Sequence, residues 1–261
     1  MLSPMTTSIM VNKLKKLGIG LLIILFWLLI WEAAARYVDL SFVLPTVPET
    51  FSALISIISE GDFLVTSLCS VARISMGFFI GVVIGLALGI LAIRFPFIEK
   101  VLSPINTIAK TTPVAVIIMI MWLMIGGAKV PGAVSALIVT PLIWQNILDG
   151  YSAIDKDLDE VCLIYQLGFM KKLRFLVLPT LFSYLLPSVV TAYGLAWKAG
   201  IAAEIICMTK NSIGAEIYNS KFMLDGPVMF AWTIIILILS CVIEQLIKFI
   251  IREVSKKCRL N

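Results

Sequence analysis

The chain has 261 residues, 60% hydrophobic and only 14% charged, with a formal net charge of +5 and a mean hydropathy of +1.04. An average soluble domain carries roughly 25% charged residues. A water-facing surface is therefore excluded for most of this chain, and its apolar runs must face lipid or one another. Histidine is absent, which rules out histidine-based triads and His-bound metals. Cys69, Cys162, Cys207, Cys241 and Cys258 show no C-x-x-C spacing, so neither a zinc site nor a disulfide framework is indicated. No catalytic residue, metal ligand or cofactor is assigned.

Lys13, Lys15 and Lys16 precede an uncharged run over residues 17–31, closed by Glu32, Ala33, Ala34, Ala35 and Arg36, and this run is the first expected span. A secretory signal peptide is the competing reading, because a basic start, an apolar middle and small residues fit it too. Thr46-Val47-Pro48-Glu49 then has capping-box spacing and is followed by Phe51, Leu54, Ile55 and Ile58 on one helical face. The helix is too short to span and is expected to lie on the outer membrane surface or to pack within the protein.

Residues 74–93 form the second expected span, with Gly77, Gly81, Gly85 and Gly89 at successive intervals of four. Residues four apart share a helix face, and without side chains that face admits close approach of another helix. Arg94, Glu99 and Lys100 mark a turn before a third span over 105–125, which holds Lys110 and Pro113. Gly126-Gly127-Ala128-Lys129 turns the chain into a fourth span over 130–148. Residues 149–174 are the one long polar stretch, a loop with helical content, before a fifth span over 175–206 and a sixth over 227–247. The expected fold is an all-α integral membrane protein of six transmembrane helices. Residues 1–16 form a cytoplasmic segment, 17–251 the transmembrane domain and 252–261 a basic tail.

Six spans bring both termini to one side, and the distribution of Lys and Arg chooses it. Fourteen lie in the N-terminal segment, the Arg94 turn, the 149–174 loop and the tail, against Arg36, Arg73, Lys129, Lys210 and Lys221 opposite. The termini and the charged loop are thus expected in the cytoplasm. Lipid contact suffices to explain the basic tail, so no nucleic-acid partner is invoked.

Within the loop, Asp159-Glu160, Gly168-Phe169-Met170-Lys171-Lys172-Leu173-Arg174 and Leu178-Pro179 resemble the cytoplasmic loop of binding-protein-dependent ABC importer permeases. The letters E-A-A of that family's loop are absent, and Gly168 stands eleven residues before Pro179, about two closer than in the family pattern. Leu44-Pro45-Thr46-Val47-Pro48-Glu49 and Gly194-Leu195-Ala196-Trp197-Lys198-Ala199-Gly200-Ile201-Ala202-Ala203-Glu204 are similar to family segments of the nitrate, sulfonate and taurine branch. The likeness covers residues 44–247. It implies a coupling helix between spans four and five, contributed by Asp159, Glu160, Gly168, Phe169, Lys171, Lys172, Leu173, Arg174 and Pro179. It also implies a second permease subunit, most simply an identical one, a dimer of ATPase subunits that carries the ATP, and an extracytoplasmic substrate-binding protein in the cell membrane's outer space.

The loop's chemistry points the same way without the family. A short amphipathic segment between two spans is a handle for a cytoplasmic partner, with Phe169 and Leu173 to seat in a groove and Gly168 to permit a turn or close approach. A merely solvated loop is the alternative. No G-x-x-x-x-G-K-[ST] run occurs, so ATP hydrolysis is expected on a separate subunit and not on this chain. Charges within spans are costly and mark candidate pathway residues, namely Lys110, Lys198 and Glu204, with Trp197 beside them. Lys198 and Glu204 are six apart and cannot pair on one helix, so each needs another partner, and for Glu204 that is expected to be an interhelical ion pair or the outer interface. Lys198 suits an anionic solute such as nitrate, a sulfonate or taurine. A secondary transporter or channel is the remaining alternative; it would not need the cytoplasmic handle, and it commonly shows paired repeats, which are not evident here.

Overall fold

Every regular element among the described residues is helical, one of the two ways, with the closed β-barrel, in which a backbone satisfies its hydrogen bonds in hydrocarbon. The structure is a computed structural model that describes the backbone of residues 4–259 and the side chains of residues 18–253, apart from those of Lys110, Leu163 and Phe169. In chain order the helices are α1 Pro4–Val38, α2 Val47–Ser59, α3 Phe63–Arg94, α4 Pro96–Thr111, α5 Val114–Ile125 and α6 Val130–Ser152. There follow α7 Lys156–Ile164, α8 Phe169–Lys172, a π-helical stretch Leu173–Val177, α9 Leu178–Cys207, α10 Ile213–Phe222 and α11 Gly226–Arg259.

Five stretches are long and apolar enough to cross a membrane: Gly18–Val38, Phe63–Arg94, Val130–Ser152, Met170–Cys207 and Gly226–Glu253. The third expected span is a bent pair. Where the sequence indicates one helix over 105–125, Pro96–Ala109 and Val114–Ile125 meet at 104°. Pro113 is the physical reason, since it holds Thr112 extended at φ −72°, ψ 129° and offers no N–H to continue the ladder. The second span also begins earlier than expected, at Phe63, so that Arg73 lies inside α3 and not in a loop. At the C-terminus α11 runs on as helix to Arg259, through most of the expected tail.

The chain divides into two units, Met1–Gly61 with Asn219–Ile234, and Asp62–Tyr218 with Ile235–Asn261. In the first unit α2 is started by a complete capping box. The Thr46 N–H donates to Glu49 Oε2 (2.8 Å) and the Glu49 N–H donates to Thr46 Oγ1 (3.4 Å). The loop before it is tied to α1 by the Trp31 indole N–H donating to the Pro45 carbonyl (3.0 Å) and the Val47 N–H donating to Glu32 Oε2 (2.9 Å). Glu32 also accepts from Arg36 one turn on, so the two charges neutralise each other and α1 continues past them to Val38.

The second unit is built on α3, α6 and α9, which pack against one another, with α5 against α6 and α9. At the start of α3, polar residues turn inward and apolar ones outward. Thr66, Ser67 and Ser70 are buried while Leu64, Val65 and Leu68 on the same turns are more than half exposed. That inversion is what lipid, as opposed to water, selects.

Candidate functional site

The α3 glycine face lies directly on α6. A Cβ at Gly77 would stand 2.1 Å from the Gly132 carbonyl oxygen, one at Gly81 2.7 Å from that of Ala136, and one at Gly85 2.8 Å from that of Thr140. At Gly89 the obstacle is Ile147, at 2.9 Å. Real Cβ atoms do not come so close, so no residue larger than glycine fits without moving α6. The Thr140 hydroxyl donates across the seam to the Gly81 carbonyl (3.3 Å). Further along, Gly200 of α9 meets Ile74 of α3 and Ser135 of α6, and the Ser135 hydroxyl donates to the Ala196 carbonyl (3.1 Å), so three helices share one point.

Glu204 sits three residues from the end of α9 and is completely buried. Its carboxylate pairs with the Arg73 guanidinium and accepts from the Ser70 hydroxyl (2.8 Å) and the Gly214 N–H (3.4 Å). Ser70 in turn accepts from the Ile213 N–H (2.9 Å), so α3, the end of α9 and the first turn of α10 converge on one negative charge. Ionised carboxylate at a helix N-terminus is favoured by the unpaired N–H groups there. Gly214 is required by the fit, since a Cβ would lie 2.4 Å from Glu204 Cβ. Arg73, Ser70 and Gly214 escaped the sequence reading. A signal was present: Arg73 stands four residues before Gly77 and so opens the same inward face as the glycines.

Lys198 looks elsewhere. It is exposed on α9, lining a cavity of about 450 Å³ with Thr112, Val114, Pro141, Leu142 and Ala199 among its other walls. None of the lining residues is acidic, and none of the ion pairs seen among the described residues includes Lys198. Trp197, the next residue, points away from that cavity. It is 2% exposed, stacked on Tyr193 at 6.4 Å between ring centroids, and is absent from the cavity wall. Lys110 lies in α4 and its side chain is outside the described residues.

Between α6 and α9 the charged stretch folds as α7 and α8, joined by a turn in which Gln166 takes a left-handed φ of 48°. Lys172 of α8 forms an ion pair with Asp159 of α7, closing the two short helices on each other. Lys171 and Arg174 are exposed, Glu160 is exposed on α7, and Leu173 is partly buried in the π-helical stretch that runs into Pro179. The side chain of Phe169 is outside the described residues. Gly168 differs from expectation. A Cβ there meets nothing within 4 Å, and the left-handed residue of the turn is Gln166, so neither turn geometry nor close packing within this chain demands glycine at 168.

A polytopic helical membrane protein is the class that this architecture defines. The model of the family described as "binding-protein-dependent transport system inner membrane component" matches residues 81–256, and the chain belongs to that family. It is 27% identical over 162 residues to the bicarbonate transport system permease protein CmpB of Synechocystis sp., a match covering 59% of this chain and 55% of that protein. The chain thus spans little more than half the length of the bicarbonate permeases it matches. To the formylaminopyrimidine transport permease protein ThiX of Halalkalibacterium halodurans it is 27% identical over 218 residues, 80% of this chain and 84% of that one. Among solved structures, a chain of an amino acid ABC transporter crystallised with histidines superposes with a TM-score of 0.61, covering 74% of this chain and 94% of its own. At 14% identity that likeness is one of fold.

Proposed function

We propose that the chain is the transmembrane permease subunit of an ATP-driven importer and forms part of the pathway for a small anion. The observation that carries this reading is the segment Lys156–Lys172, two charged short helices closed by the Lys172–Asp159 ion pair and strung between two spans that pack together, α6 and α9. A pull or push on that segment passes into both helices. Segments of this kind suit docking by an ATPase, and the chain itself has no phosphate-cradling loop. Lys198 in its cavity supplies the preference for an anion. The names of the relatives alone do not, since one is a bicarbonate and another a formylaminopyrimidine permease.

In this reading the α4–α5 pair counts as one broken span, which places both termini and the α7–α8 segment in the cytoplasm. Two permease chains, most simply identical, pair in the cell membrane. Two ATPase subunits dock beneath them, and an extracytoplasmic binding protein delivers solute from above.

The test is to replace Lys171, Lys172 and Arg174 together by glutamate in the source organism and to follow ATPase subunit retention on purification, together with solute uptake. Lys129→Glu with Lys210→Glu is the control pair, and topology is checked in both. Loss of retention and uptake confined to the triple variant supports the reading. Retention and uptake equal to wild type in the triple variant refute it. The purified chain alone is expected to hydrolyse no ATP, measured as phosphate release.

A further inference from the structure

A helix packed on a protein surface in water has a buried side and a wet side, whereas α2 has three. Thr50 and Ile57 share one side and are buried. Phe51, Ile55 and Ile58 share a second, each more than half exposed, and Ser52, Ser56 and Ser59 share a third and are exposed. At about 100° per residue the three sectors stand roughly 100–140° apart. The first is covered within this chain. The other two lie open side by side, one hydrocarbon and one hydroxyl, which is the division that a boundary between lipid and water makes along a helix lying flat in it. The one charge of α2, Glu49, falls on the serine side and is bound in the cap. At 13 residues, roughly 20 Å, the helix is too short to cross a bilayer.

The depth of α2 is set by its bonds to α1. Residues 17–31 carry no charge, so Glu32 marks the level at which α1 leaves hydrocarbon. The Val47 N–H, at the first residue of α2, donates to Glu32 Oε2 (2.9 Å), and the Trp31 indole N–H donates to the Pro45 carbonyl (3.0 Å). α1 continues six residues past Glu32 to Val38, roughly 9 Å. α2 therefore starts beside α1, at the headgroup level that tryptophan favours, and not beyond its end in water.

We propose that α2 is a lipid-interface anchor. Phe51, Ile55 and Ile58 lie among lipid at the headgroup–acyl boundary where α1 ends, the three serines face water, and the bonds at Glu32 and Trp31 hold α1 at that depth. The proposal needs α1 to span a membrane but does not rest on the permease reading, and it is the same for either orientation of the chain. A second copy of the chain, or a partner protein, laid on the apolar face would exclude lipid from it.

The experiment places one nitroxide label at a time, through Phe51→Cys, Ile55→Cys, Ile58→Cys, Ser52→Cys, Ser56→Cys, Ser59→Cys and, in α1, Leu22→Cys. It uses the full chain with its five native cysteines replaced by alanine, in phosphatidylcholine–phosphatidylglycerol vesicles. Collision with oxygen, which concentrates in hydrocarbon, is read against collision with a water-soluble nickel chelate. Labels on the apolar face are expected to favour oxygen, at about 5–10 Å into the headgroup–acyl boundary, and labels on the serine face to favour the chelate. Equal access of the chelate to both faces places α2 in water and overturns the proposal. Exclusion of both reagents from the apolar face shows that protein covers it, and overturns the proposal too. In the combined variant Phe51→Ser, Ile55→Ser, Ile58→Ser, α2 is expected to rise toward water and draw α1 with it. The label at Leu22, in the opposite half of the span, should then move toward the bilayer centre by about 1.5–3 Å, one or two residue rises. A Leu22 label that stays at its depth overturns the anchoring of α1. Should that variant fail to insert, the pattern of the single labels decides by itself.

Discussion

Two charged residues of α9 lie six positions apart and have opposite fates. Glu204 is completely buried, with a guanidinium, a hydroxyl and a backbone N–H around its carboxylate. Lys198 is exposed to a cavity whose walls offer it no counter-ion. Six residues turn the helix by about 240°, enough to carry one charge into the packed seam with α3 and the other out of it. The lesson is that a charge within a span is not by itself a sign of transport. Whether the protein has already spent it on an internal partner decides between a structural and a functional reading.

The sharpest way to break this comparison is to remove each charge in turn. Glu204→Ala strands the Arg73 guanidinium, whose side chain is 22% exposed, and leaves Ser70 and the first turn of α10 without their acceptor. Breaking a largely buried pair from one side costs about 3–5 kcal/mol, so a large fall in melting temperature is expected in detergent. Replacing both members, Arg73→Met with Glu204→Leu, is expected to recover much of that loss, because no orphan charge remains. Lys198→Met, in contrast, is expected to change stability by no more than about 0.5 kcal/mol, the range of surface substitutions. A Lys198→Met loss as large as that of Glu204→Ala would erase the distinction.

A second pair of perturbations asks the same question of glycines, comparing those that touch a neighbour with one that does not. Gly81→Ala and Gly85→Ala each drive a methyl to within 2.8 Å of α6, and overpacking of this kind costs about 1–3 kcal/mol. Gly194→Ala, in the middle of α9 with nothing within 4 Å of its new methyl, is expected to stabilise by roughly 0.5–1 kcal/mol through helix propensity. Equal effects at Gly81 and Gly194, read as thermal melts, would show that the α3 spacing is not a packing device.

How far these features could be read beforehand depended on the distance between partners along the chain. The apolar runs of α3, α6, α9 and α11 are contiguous, so their existence is visible in composition alone. The break in the third span hangs on one residue, Pro113, which could be seen, but the 104° bend it permits is set by tertiary packing. The interval of four defines a face on α3 without naming α6 as its neighbour. Arg73 was the costliest miss. It counted as an outer loop charge because the apolar run starts after it, and its partner Glu204 lies 131 residues away, where no local periodicity can link them. Gly168 drew the expectation of a turn or a close approach because it is a glycine, whereas the left-handed residue of this stretch is Gln166, which no sequence signal marks.

The smallest effect concerns a charge whose partners are all local. Glu49 accepts from the Thr46 N–H and the Ser41 hydroxyl, and its own N–H is bonded to the Thr46 side chain. The Thr46 N–H, then the Ser41 hydroxyl, hold its carboxyl below the ordinary carboxylate value. A lowered folded-state value means that ionised Glu49 stabilises α2 above the ordinary value, and that this contribution is lost as pH falls through the lowered one. Glu49→Gln removes the titration, so the gap in melting temperature between wild type and variant is expected to be constant near neutrality and to close on acidification below the ordinary carboxylate range. Other carboxylates titrate in the same window, but they do so in both proteins and cancel in the difference. The group is still partly open to solvent, so the gap is expected to be small and to shrink in high salt. Thr46→Ala, which removes the other half of the box, is expected to cost about 1 kcal/mol at any pH. A gap that widened on acidification would reverse the sign of the linkage, and would mean that Glu49 is held up by burial against a neighbour and not by its cap.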